Sequence, residues 1–152
     1  MKEFKKILFP VDFSEVSSKI VPCVITMADK FDAEVHLIFV VRKLENYRSI
    51  FVSPVTVEDF EAEIVLGAET KMEEFVQEFF KRIFRPKTKI LIGDIAEEII
   101  KYIKAQGIDL VIIGTHGRKG MDRIIFGSVA ERVIKSAPVP VLSVNPYQVT
   151  AS

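Results

Sequence analysis

The densest set of chemistry-bearing residues in this chain is the segment Gly114-Thr-His-Gly117-Arg-Lys-Gly-Met-Asp-Arg-Ile-Ile-Phe-Gly127-Ser128. Gly114 and Gly117 let a main chain come close to a ligand and take a positive φ without a Cβ penalty. Gly127 and Ser128 read as the opening of a helix, whose unpaired amides and positive dipole end would receive phosphate oxygens. The Ser128 hydroxyl adds a donor, and Arg118, Lys119 and Arg123 supply cations that offset a polyphosphate. Far upstream, Pro10 and the acidic Asp12 close a short apolar run. Each feature also has a plain structural explanation. Ser128-Val-Ala-Glu131 has the form of a capping box, Asp12 can cap a first helix, and loop glycines make turns without any ligand. The residues by themselves leave phosphate binding and turn-making both open.

Several chemistries are disfavoured by what surrounds this segment. Lys+Arg and Asp+Glu number 21 each, so the net charge is zero and no general affinity for nucleic acid or anionic lipid is expected. Cys23 is the only cysteine, which rules out an internal disulfide and a Cys/His zinc site. His36 and His116 are too far apart to suggest a His-rich metal site or a catalytic triad, and His116 reads as a local hydrogen-bonding residue. The chain has neither GxxxxGK[ST] nor a GxGxxG after the first apolar run, so it is neither a P-loop nor a usual dinucleotide site. The apolar run Ile7-Leu8-Phe9 is too short for an export signal, and no stretch reaches the roughly 18 residues of a membrane helix. The chain reads as soluble and cytoplasmic.

The elements that must position these residues alternate. Residues 7–11, 35–41, 89–92, 110–113 and 139–144 form five apolar runs rich in β-branched side chains. Between them lie helical patterns. The first covers 15–31 with Ser14 as cap and an awkward Pro22, which should kink or delay it. The second carries Phe60, Ile64, Ala68, Met72, Phe75, Phe79 and Ile83 at helical spacing behind a Thr56 cap, with its phenylalanines expected in the core. The third holds Ile95, Ile99, Ile100 and Ile103 and stops at Gly107; the fourth starts near Ser128. Strict β-α alternation predicts a single α/β domain over 1–152, a doubly wound parallel sheet with helices on both faces. In such sheets ligands sit beyond the carboxyl ends of the strands, the edge where Pro10, Asp12, Gly114 and Gly117 all fall.

At this point the chain resembles the universal stress protein family, specifically its ATP-binding branch. The family pattern G-x2-G-x9-G-[ST] is met by Gly114, Gly117, Gly127 and Ser128. The likeness continues through Ile7-Leu8-Phe9-Pro10-Val11-Asp12-Phe13-Ser14, the Gly93-Asp94 turn and Pro138-Val139-Pro140-Val141-Leu142. The resemblance implies a five-stranded sheet of order 3-2-1-4-5. It implies that Asp12 faces a ribose or a metal, that Val40 lines an adenine pocket, and that Ile113 and Gly114 meet ribose and phosphate. Gly117, Gly127, Ser128 and Val129 would then hold phosphates. Ala130 stands where some nucleotide-binding relatives carry a hydroxyl, which removes one phosphate contact. Relatives also pair the last strand antiparallel, implying a homodimer through 139–144.

Three functions follow as expectations. The first is a regulatory module of a stress response that binds ATP (or AMP or ADP), with Mg²⁺. The second is a slow Mg-dependent ATPase with Asp12 holding the metal. The third is a nucleotide-free interaction protein, for which the intact glycine set is a poor fit.

Overall fold

The computed structural model describes residues 3–43, 54–80, 85–115 and 123–148, with the backbone alone described at 54–57 and 123–126. Nine elements alternate along it: β1 (Lys6–Pro10), α1 (Glu15–Phe31), β2 (Glu34–Val41), α2 (Pro54–Phe79), β3 (Lys87–Ile92), α3 (Ile95–Gln106), β4 (Leu110–Gly114), α4 (Arg123–Ser136) and β5 (Val141–Val144). The strands form one parallel sheet of order β3-β2-β1-β4-β5. The expected doubly wound α/β architecture is therefore the one observed.

Alternation along the central strands sorts the core into two layers. Ile7, Phe9, Val35, Leu37, Leu110 and Ile112 face α1 and α2. Leu8, Ile38, Val111 and Ile113 face α3 and α4, against Ala96, Ile99, Ile103, Val129 and Val133. Many of these side chains are fully buried, each worth about 1.5–3 kcal/mol on the usual transfer scale. The central strands are buried on both faces and so read as near-continuous apolar runs, with His36 of β2 the one polar side chain fully buried among them in the described residues.

Several boundaries differ from those the sequence suggests. Pro22 neither delays nor interrupts α1, which is continuous from Glu15 to Phe31. Pro22 is exposed, so water can satisfy the carbonyl left by its missing amide. The second helix opens at Pro54, ahead of Thr56, because proline suits a first helical position where no amide partner exists. It ends at Phe79; Ile83 lies outside the described residues. At the other end of the chain, β5 begins at Val141 rather than Val139, since Pro138 and Pro140 cannot donate to the ladder.

Candidate functional site

The β1–α1 turn is organised around one oxygen. Asp12 Oδ1 accepts from Ser14 N (2.9 Å), Ser14 Oγ (2.5 Å) and Ser17 Oγ (2.7 Å). Asp12 N in turn donates to Ser17 Oγ at 3.0 Å. Ser14 stands at the N-cap position of α1, yet its side chain caps no helix amide. The N-cap position weighed for Asp12 belongs to Ser14, and Asp12 instead accepts from that residue and from the Ser17 hydroxyl. Phe13, between them, has φ 63°, in the left-handed region that non-glycine residues rarely take. Its ring is wedged against Phe39 (centroids 4.7 Å) and Phe75 (6.1 Å), which fixes the turn against β2 and α2.

Strand alternation brings the next residues to one side. Leu8, Ile38 and Ile113 face the α3/α4 layer, so Pro10 and Val40, two positions along β1 and β2, point the same way. Val40 is 8% exposed and Ile113 is fully buried. Gly114 ends β4 level with Val144, and Thr115 N donates to Val144 O just beyond it.

The α4 contribution differs from the expected one. It is described from Arg123 onward, so Gly127 and Ser128 lie at least a full turn inside it. Helix geometry pairs their amides with carbonyls four residues back, so they are not unpaired donors of the helix start. A lone glycine costs about 1 kcal/mol relative to alanine in a helix, too little to set the boundary. The predicted capping box is also absent: Glu131 pairs with Lys135 at 2.8 Å instead. What Gly127 does supply is proximity. A Cβ placed there would have Thr115 O as its nearest neighbour among the described residues beyond its own turn of helix, at 4.0 Å, so this part of α4 stands over the end of β4. Ser128 is exposed, while Val129 is 8% exposed and packs in the core beneath. Gly117, Arg118 and His116 lie outside the described residues.

A bidentate ion pair ties this edge together. Arg132, one turn after Ser128, contacts Asp94 Oδ2 at 3.0 Å and Oδ1 at 3.3 Å. The Arg132 guanidinium, with the Glu97 amide and the charge of Arg42, holds the Asp94 carboxyl below its usual range. Asp94 also caps α3 through Glu97 N (3.0 Å). Gly93 has φ 154°, and a Cβ there would come within 2.6 Å of Glu98 Oε1. Sequence reasoning noted the Gly93-Asp94 turn but missed its Arg132 partner, 38 residues away. It also missed Ser17. The Asp12-x-Ser14 spacing of an Asx-turn was the available signal. The described residues also form a groove of about 380 Å³ between α2 and β3, lined in part by Met72, Val76, Thr88 and Ile90, away from this edge.

Comparison with known proteins agrees with this fold. The universal stress protein family model matches residues 3–145. Universal stress protein MJ0531 of Methanocaldococcus jannaschii is 38% identical over 150 residues, covering 93% of this chain and 82% of that one. The solved structure of protein MJ0577 aligns with a TM-score of 0.81 at 31% identity, over 99% of this chain and 100% of that one. A universal stress protein family protein from Arabidopsis thaliana, solved with AMP bound, shares the fold (TM-score 0.63, 19% identity, 93% and 91% covered). With its sheet order, its motif and a family model that spans nearly its whole length, the chain belongs to the universal stress protein family.

Proposed function

We propose that this chain binds an adenine nucleotide (ATP, ADP or AMP) at the carboxyl edge of its sheet and acts as a nucleotide-dependent regulatory module in a stress response. The observation that carries this reading is the approach of Gly127 in α4 to the carbonyl of Thr115, just past Gly114 at the end of β4. The base lies against Val40 and Pro10, the ribose by Asp12 and Ile113, and the phosphates by Gly114, Gly117, Arg118, Gly127 and the Ser128 hydroxyl. Amides ahead of Gly127, rather than those of Gly127 and Ser128, supply the helix-end donors. Val129 contributes as the core residue that seats this turn. The AMP carried by the Arabidopsis protein, and the dAMP carried by an Archaeoglobus fulgidus universal stress protein, support the ligand class.

Asp12 Oδ1 already accepts three donors. Mg²⁺ would therefore meet Asp12 through its other carboxylate oxygen, with the phosphates as further ligands. Pairing of β5 across a homodimer belongs to the same reading. Val141–Val144 carries no charge and ends the sheet, whereas the opposite edge strand presents Lys87 and Lys89, a protective pattern.

Calorimetric titration of wild type and Gly127→Ala with ATP and Mg²⁺ tests the site. Among the described residues beyond its own turn of helix, the added methyl meets no atom closer than 4.0 Å, so thermal stability should stay level or rise by up to about 1 kcal/mol. Nucleotide affinity should fall at least tenfold, since a methyl in a close-packed contact costs on that order. Wild-type protein that releases no nucleotide on denaturation and gives no heat with ATP would defeat the proposal.

A further inference from the structure

The β1–α1 turn is built at the expense of its own helix start. Ser14 occupies the N-cap position, where a serine hydroxyl ordinarily accepts from an amide of the first turn. Here it donates to Asp12 Oδ1 instead. Ser17 lies in that first turn and is 5% exposed. A hydroxyl has one proton. Ser17 gives it to Oδ1 and takes the Asp12 amide in return, closing a ring between one side chain and the backbone of another. The intervening Phe13 is held at φ 63°. Three donors on a single carboxylate oxygen fix the plane of the Asp12 carboxylate and therefore the direction of its second oxygen.

We infer that Ser17 is a positioning residue that orients the Asp12 carboxylate to accept the vicinal hydroxyls of a ribose, so that it governs ribose recognition without touching the ligand. This rests on the nucleotide reading above. No covalent step is involved: the ribose hydroxyls donate and the carboxylate accepts.

The test compares ATP with 2′,3′-dideoxy-ATP on wild type, Ser17→Ala and Ser17→Thr by calorimetry, with thermal unfolding recorded alongside. Wild type should prefer ATP about tenfold or more, as expected for hydrogen bonds to a charged acceptor. Ser17→Ala should lose most of that preference while its affinity for the dideoxy nucleotide stays unchanged; Ser17→Thr, which keeps the hydroxyl, should retain it. If Ser17→Ala does not fold, Ser17→Cys, similar in volume and a weaker hydrogen-bonding group, carries the same comparison. Equal weakening toward both nucleotides would reduce Ser17 to a structural residue, and an unchanged preference would remove it altogether. Wild type that binds both nucleotides equally would overturn the role of Ser17 and leave nucleotide binding standing. Wild type that binds neither would overturn both.

Discussion

His36 is the most completely buried polar side chain described, at 1% exposure, and it lies at the amino end of the sheet, away from the candidate site. Its Nε2 is 2.6 Å from Glu34 Oε1 and its Nδ1 is 2.7 Å from Tyr102 Oη. The bond from His36, together with Lys87 at 3.3 Å, holds the Glu34 carboxyl below its usual range, so it is ionised and Nε2 must be the donor. Nδ1 then accepts from the Tyr102 hydroxyl. Burial pushes the His36 pKa down, only partly opposed by Glu34 and reinforced by the charges of Lys87 and Lys6. A depressed folded pKa means that the unfolded chain takes up the proton first. The stabilisation is complete above the unfolded value of about 6.5 and is lost as pH falls through the folded value. Urea midpoints measured from pH 7.5 to 5.5 should therefore decline in wild type and stay nearly level in His36→Gln, which keeps a donor and an acceptor but does not titrate. Parallel declines would show that His36 is not the group responsible. The carboxylates of Glu34 and Asp94 act later, below about pH 4.5.

At the level of elements, α2 is longer than the sheet it covers. Its 26 residues span about 39 Å, against about 26 Å for the eight residues of β2. Its apolar stripe was read as core throughout, yet burial fades along it. Met72 and Phe75 are 2% and 6% exposed, Ile64 is half-buried, and Phe60 is 54% exposed. Running back from β2 to β3, the helix places its first half at the carboxyl edge, beyond the strands. Phe75→Ala should accordingly cost about 3–5 kcal/mol in denaturant unfolding, and Phe60→Ala under about 0.5. Equal losses would mean that the overhang is packed in solution. Helical spacing shows which side of a helix is apolar; the length of the neighbouring strands sets how much of that side is covered. The start of α4 makes the same point. Gly127-Ser128-Val-Ala-Glu131 satisfies a local capping pattern, but the helix begins earlier and Glu131 turns to Lys135.

For the whole molecule, strand order decides what meets what. The chain reverses between β1 and β4, so Asp12 and Gly114, about a hundred residues apart, end neighbouring strands. The same order leaves β3 and β5 as edges of opposite character. In the dimeric reading, Leu142→Lys places a charge on the uncharged edge, and the mass measured by light scattering at micromolar concentration should fall from that of a pair to that of one chain. A monomeric wild type would remove the dimer from the proposal.

The alternation of elements, the two-sided burial of the strands and the glycine spacing are local properties of the chain, so the α/β class and the loops at the carboxyl edge were legible from residues alone, and the family likeness supplied the strand order. The donors that hold Asp12, the partner of Asp94 and the start of α4 ahead of Gly127 were not legible. Each depends on competition for hydrogen-bond partners between segments that only folding brings together, and a local pattern such as a capping box describes one competitor without its rivals.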